Sequence, residues 1–504
     1  MNRAFLVLLL AAISAAIFAS VACAELPQPT LAPLHATADL NLGESQGVQV
    51  PGGKKVTLKV LDLQEERDSL RGAVRKAEVK VLIDGKEVTL VSANYRLPVT
   101  VGEVQIDCPV TRGYRDRATK TTGGLDVWGL EKAVRLRLWP KSSPLVNPGT
   151  FVYPAKQRWF ASQTQMANEP VYVDGGEKPG LDANIYYHYG LDIGGAEGLV
   201  DVVAATAGLV VSVGKDVLPG YADTPVSPRY DVIYLLDDRG WFYRYSHLHT
   251  IRPEIRPGTT VKLGQPLGLL GKEGGSGGWS HLHFDISGRQ PSGNWGIIDG
   301  YAFLWESYLR EHKPQLLAVA RPHHFVAVGE KVTLDGSRSW SDTGSIASHD
   351  WTCTDGTSTK GPTVERSYDK PGVYSEVLRV TDKDGRIDYD FAIVNVVDKE
   401  HPESLPPSIH AAYAPTLGLK AGQEVKFLVR TFRTTDGEET WHFGDGSPPA
   451  TVKSDGNVVQ LAKDGYAVTT HRFEKPGVYL VRVSRTNKQG FTATAHLKVF
   501  IEGN

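Results

Sequence analysis

The chain has 504 residues, 55 Lys and Arg against 57 Asp and Glu, and a formal net charge of −2. At about 150 residues per domain the length points to about three domains, and 41% hydrophobic with 22% charged residues excludes a wholly disordered chain. Near-neutrality argues against a nucleic-acid partner, which calls for a basic excess, and three Cys are too few for a disulfide scaffold.

Arg3 precedes an apolar run from Ala4 to Ala22 that ends in Ala22-Cys23-Ala24. A single positive charge, an apolar stretch and a small-x-small site predict a secretory signal peptide over 1–24. An uncleaved anchor and acylation at Cys23 are the alternatives. Cleavage leaves Cys108 and Cys353, which fall in different predicted domains and are not expected to pair. No later run is apolar enough, for long enough, to span a bilayer.

Residues 25–145 read as a β-domain. Val56 to Leu63 nearly alternates, and Ala77–Ile83, Asp84-Gly85 and Lys86–Leu90 form a hairpin pattern with a two-residue turn. Ala133 to Trp139 alternates again, with Arg135 and Arg137 on one face. This domain carries no chemical constellation, and its place ahead of the next unit raises the expectation that it covers a cleft there. Pro140, Pro144 and Pro148 mark the boundary.

Residues 146–312 make the second unit. β-type runs at 198–213, 230–236, 241–248 and 281–286 alternate with glycine-rich turns, and 301–312 reads as a closing helix. The aromatic stretches 184–189 and 241–245 suit a core or a cleft wall, and the glycine-rich 271–278 suits a cleft loop.

The remainder repeats, and the repeat divides it at 313–400 and 401–504. Lys370-Pro371-Gly372-Val373-Tyr374 returns as Lys475-Pro476-Gly477-Val478-Tyr479, and Asp355-Gly356-Thr357 returns as Asp445-Gly446-Ser447. Two β-sandwich copies with loop insertions account for this. Trp441-His442-Phe443-Gly444-Asp445-Gly446-Ser447 resembles the hallmark of PKD domains, and Trp351 to Thr357 is a degraded version of it. The resemblance implies adhesion or spacer modules that bind cell wall, glycan or a protein partner. His323-His324 reads as turn chemistry rather than a metal site.

Five of the 15 His fall between 188 and 283. In His281-Leu282-His283-Phe284-Asp285-Ile286, strand alternation puts both imidazoles on one face and the apolar residues on the other. In His188-Tyr189-Gly190-Leu191-Asp192 the glycines disfavour a helix, and a turn into a strand can still bring His188 and Asp192 to one ion. In Tyr245-Ser246-His247-Leu248-His249 the two His are expected on one strand face.

Together these pieces resemble the lysostaphin/LytM type of zinc metallopeptidase, in which a His-x3-Asp motif is followed by His-x-His in a glycine-rich β-fold. Val202-Val203-Ala204-Ala205 with Gly208-Leu209-Val210 resembles that family's first core strand pair, and Pro257 to Gly268 resembles its later turn and strand. The resemblance implies Zn²⁺ held by His188, Asp192 and His283, with His247 and His281 as unliganded catalytic residues. It assigns nothing to His249, which is read as structural or as support for the site, with substrate contact as the alternative. Two His and a carboxylate also occur in Fe(II) oxygenases, but with His-x-Asp spacing.

The expectation is therefore a mainly β, exported zinc metalloendopeptidase acting on peptidoglycan cross-links or stem peptides. A non-hydrolytic wall-binding scaffold and a protease of exported proteins are the alternatives.

Overall fold

A computed structural model describes residues 26–503 except 71, 93, 115–125, 170–186, 222 and 402–403. The segment read as a signal peptide lies outside the described residues. The described chain is mostly strand with one long helix, Tyr301–His312.

The N-terminal part holds two four-stranded sheets. One runs Ala36–Leu40, Val134–Pro140, Val104–Thr111, Val99–Val101; the other runs Ser45–Gln49, Lys55–Arg67, Val74–Ile83, Lys86–Ser92. The expected hairpin is present, and Asp84 and Gly85 turn it with φ of 46° and 82°. Positive φ at both turn residues matches the right-handed twist of the strands.

The strand Val134–Pro140 is buried on both faces. Val134, Leu136 and Leu138 enter the core between the two N-terminal sheets. Arg135, Arg137 and Trp139 face the other way, towards the following unit, and are 2%, 2% and 0% exposed. Arg135 meets its register partner Asp39 through two bonds of 2.8 Å. Arg137 pairs with Asp107 and donates to the Asp299 carbonyl at 2.6 Å. Trp139, Tyr95 and Val146 belong to the same apolar cluster as the core of the second unit. The prolines after 139 thus mark a turn between parts that share a core, because alternation sends one face of this strand into each.

The second unit is built on a sheet in the order Asp216–Val217, Gly208–Val213, Ile233–Leu236, Phe242–Ser246, His281–Arg289, Leu191–Gly194, Thr164–Gln165. Asp201–Val203 pairs instead with Pro266–Leu270, beside Leu248–Ile251, in a separate three-stranded sheet. The expected pairing of 202–205 with 208–210 is therefore corrected: the two segments are consecutive but leave in different sheets. The helix buries Tyr301, Phe303, Leu304, Trp305 and Tyr308 against this core and ends at Lys313, whose φ of 45° closes it.

The two C-terminal copies each surround a tryptophan, Trp351 and Trp441, both 0% exposed. Their matching strands Gly372–Asp382 and Gly477–Thr486 begin at equivalent positions. Gly372–Asp382 also lies beside Thr492–Ile501, in parallel, so one sheet runs through both copies. His323-His324 is not a turn: His324–Ala327 is a strand parallel to Ile387–Val397. Burial pushes the His324 imidazole down to about 3 and His323 well below its usual range. Cys108 and Cys353 are buried and free. No helix among the described residues is long and apolar enough to cross a membrane.

Asp39→Ala is expected to cost about 3–5 kcal/mol, because it leaves the Arg135 guanidinium buried without its partner. Urea unfolding followed by tryptophan fluorescence measures the loss, and Leu at both positions is expected to recover most of it.

Candidate metal centre

The strand His281–Arg289 lies between two neighbours that complete a donor set. In register, His283 faces Asp192 on one side and Ser246 on the other. His188 reaches the same place through a turn at Gly190, whose φ is +76°. A Cβ there would lie 2.8 Å from the Phe284 carbonyl oxygen and 2.7 Å from the Asp285 Cβ, so the close approach requires glycine.

Three donor atoms converge. Asp192 Oδ1 lies 2.9 Å from His283 Nδ1 and 3.0 Å from His188 Nε2, and the two nitrogens are 3.2 Å apart. The other nitrogen of each ring is already engaged: His188 Nδ1 with the Met166 carbonyl at 3.1 Å, and His283 Nε2 with Asp285 Oδ2 at 3.2 Å. Those acceptors place the ring protons on His188 Nδ1 and His283 Nε2. In that neutral state two nitrogen lone pairs and a carboxylate oxygen face one another, and the gap between them takes a cation, either a proton on His283 Nδ1 or a metal ion. Ligand bonds of about 2.0–2.1 Å in tetrahedral array put donor atoms about 3.3 Å apart, so the donors present fit a metal ion. Burial alone would raise the Asp192 carboxyl, but the imidazoles of His188 and His281 outweigh it and hold it well below the carboxylate range. Burial also opposes charge on His283, yet its bonds to Asp192 and Asp285 raise its pKa. The centre attracts positive charge.

His247 and His281 stand beside these donors, their rings 4.6 Å apart. His247 Nδ1 donates to the Glu273 carbonyl at 2.6 Å, and His281 Nδ1 to the Trp279 carbonyl at 3.0 Å. Each ring thus leaves Nε2 as an acceptor, and His281 Nε2 lies 3.4 Å from Asp192 Oδ2. Burial lowers His247 and pulls His281 well below the usual imidazole range, so both are neutral at pH 7.

The strand Phe242–Ser246 ends at His247, whose φ of +65° breaks it. Asp231 Oδ2 accepts the His247 backbone N–H at 2.9 Å and holds that bend. The expectation that His247 and His249 share a strand face is therefore corrected. His247 turns into the centre, while His249, 42% exposed on its side chain, lies 3.5 Å from Glu197 at the rim. Glu197, His249 and Glu273 form a second group of potential donors there. The buried Lys272 ammonium already pairs with Glu197.

Asp231, Glu273 and Asp285 carry no motif. Only Asp285 was findable, because alternation puts it on the His283 face of the strand. Tyr189 lines the centre, whereas Tyr187, Trp241, Tyr243 and Tyr245 are core; residues 184–186 lie outside the described residues.

The five predicted residues, His188, Asp192, His247, His281 and His283, are thus brought together. All line or adjoin a cavity of about 480 Å³. Among its described walls the N-terminal sheets contribute only Arg75, so they do not form the expected cover. The far side comes from the C-terminal copies, including Asn395, His410, Phe432, Arg433 and His496.

Residues 186–294, which contain all five, match the family model described as peptidase family M23. This chain carries an M23 peptidase domain. Two models described as PKD domain match residues 312–396 and 410–499. The M23 match supports a peptide-bond hydrolase. Among solved structures, Helicobacter pylori Csd3 is 15% identical over 52% of this chain and 83% of its own, with a TM-score of 0.20. The PKD domain of an M14-like peptidase from Thermoplasmatales archaeon SCGC AB-540-F20 is 20% identical over 19% of this chain and 97% of its own, with a TM-score of 0.15. Scores this low carry no weight beside the family match.

Asp285→Ala removes the acceptor that orients His283 in the M23 centre. It is expected to weaken metal binding about 10–100-fold with the fold retained, as read by chelator competition.

Proposed function

We propose that the protein is an exported zinc metalloendopeptidase that hydrolyses peptide bonds in peptidoglycan cross-links or stem peptides. The observation that carries this reading is the convergence of one donor atom each from His188, Asp192 and His283, with two neutral imidazoles anchored beside it. Two nitrogen donors and one oxygen donor suit Zn²⁺ and leave a fourth tetrahedral position for substrate or water. When bound, zinc supplies a Lewis acid that polarises the scissile carbonyl and makes water acidic near neutral pH.

The chain's own residues move the protons. His247 and His281 both present an Nε2 acceptor to the cavity. One accepts the proton of the attacking water at Nε2 and returns it to the leaving amine, and the other bonds the developing oxyanion once its own Nε2 has taken up a proton from solvent. Their carbonyl anchors at Glu273 and Trp279 fix the tautomer this requires. The apolar segment ahead of residue 25 and the two PKD domains support export. The PKD domains are read as modules that hold the enzyme against wall, glycan or a protein partner.

His281→Ala is expected to keep near-stoichiometric zinc while kcat falls about 10²–10⁴-fold, the usual size of a general acid–base contribution. Metal analysis and zymography on purified cell walls, with and without chelator, check both halves. Absence of lysis by the unsubstituted protein on every wall chemistry and on glycine-rich peptides would sink the peptidase reading in favour of a wall-binding scaffold.

The imidazole that accepts the water's proton must be neutral, and burial disfavours the charged form of either candidate. The acid limb of kcat/KM is therefore expected below the ordinary imidazole value of about 6.5, as read from a pH–rate profile.

A further inference from the structure

The loop that delivers His281 leaves the fold at Gly271 and returns at His281, where the His281 N–H donates to the Gly271 carbonyl at 2.9 Å. Between them lie Gly274, Gly275, Gly277 and Gly278. Such a stretch has little conformational preference of its own and loses much freedom on ordering. What orders its second half is the second PKD domain.

That domain grips four consecutive residues. Asn457 Nδ2 donates to the Gly277 carbonyl at 3.1 Å, and Arg430 Nη1 to the Gly278 carbonyl at 2.6 Å. His410 packs edge-on against Trp279, with ring centroids 5.3 Å apart. The Ser280 N–H donates to the Tyr466 hydroxyl at 2.7 Å, and that hydroxyl shares a hydrogen bond of 2.8 Å with His410 Nδ1. Arg430 is itself 0% exposed and held by Asp455 through bonds of 2.8 and 2.6 Å. A Cβ on Gly278 would lie 2.2 Å from Asn457 Oδ1 and 2.9 Å from Arg430 Nη1, so a side chain there would displace both contacts.

The gripped segment is the one that orients His281. The Trp279 carbonyl accepts its Nδ1–H, and the Trp279 ring lies flat on the imidazole, 3.8 Å away and 17° from parallel. We infer that the second PKD domain is part of the catalytic unit, with Tyr466, His410, Arg430 and Asn457 as positioning residues that set His281 through Trp279. Its role then extends beyond adhesion or spacing. The inference rests on the peptidase reading for its kinetic consequence only.

Tyr466→Phe removes one hydroxyl and leaves the ring packing, and Asn457→Gly removes the side chain while tolerating that residue's φ of +58°. Both are made in the full chain, and thermal melts are read alongside. In each, kcat is expected to fall about tenfold with KM within about twofold and zinc content unchanged, because misplacing a catalytic group costs rate rather than binding. Hydrogen exchange across 277–281 is expected to speed up. Unchanged exchange overturns the clamp. Unchanged kcat overturns its catalytic role. A rise in kcat overturns it in favour of a cover that must lift. If the unsubstituted protein cleaves no peptide, the peptidase reading fails, and hydrogen exchange still decides the clamp.

Discussion

Two imidazole lone pairs and a carboxylate oxygen, all within 3.2 Å of one another, form the constraint around which the rest of the molecule is arranged. Their other ring nitrogens are committed elsewhere, to the Met166 carbonyl and to Asp285, so the group's repulsion is relieved only by a cation taken into the gap. Something must hold it in place. The central position of the strand His281–Arg289 does so, since its neighbours Phe242–Ser246 and Leu191–Gly194 are fixed by ladder bonds on both sides. Leu282, Phe284 and Ile286 anchor the opposite face in the core. The same alternation that buries three apolar side chains therefore aims His281, His283 and Asp285 at one point.

Burial is the second requirement, and no single part of the chain provides it. Trp139 of the N-terminal sheets and Tyr95 of the turn that joins them complete the M23 core from behind. The PKD domains enclose the cavity from the front. Arg137 shows how polar groups are accommodated at such a seam: its guanidinium is shared between Asp107 of the N-terminal sheet and the Asp299 carbonyl ahead of the closing helix. An unpaired charge there would destabilise the junction strongly. The ion pairs thus fix how the parts meet, while the tryptophan beside them supplies the apolar contact.

Much of the centre was legible because its chemistry obeys short-range rules. Strand alternation places His281 with His283, and glycine at 190 excludes a helix between His188 and Asp192. The hairpin at Asp84-Gly85 and the helix 301–312 follow from turn chemistry and apolar periodicity in the same way. Long-range pairing was not legible. Val202 and Gly208 are close in sequence yet enter different sheets, because the pairing partner of 201–203 is the distant 266–270. His247 left its predicted face because Asp231, 16 residues upstream, stabilises a positive φ that local propensity disfavours. Alternation puts Arg135 and Arg137 on one face, and only tertiary packing reveals what covers them.

The neutral state of His247 and His281 ties these observations together. Burial is the largest cause of the lowered pKa at both rings, so their ability to accept a proton depends on what excludes water around them. For His281 that shield includes Trp279, and Trp279 is backed by His410 of the second PKD domain. Burial in turn keeps His410 neutral, with a pKa of about 4, so it packs against the indole without adding a cation near the donor set. A cation at that position would disfavour metal binding, because it would repel the metal's own charge in a medium of low dielectric constant. The proton chemistry of the M23 domain is thus set partly by a residue more than a hundred positions beyond its C-terminal boundary, and the span 186–294 alone does not define the active centre.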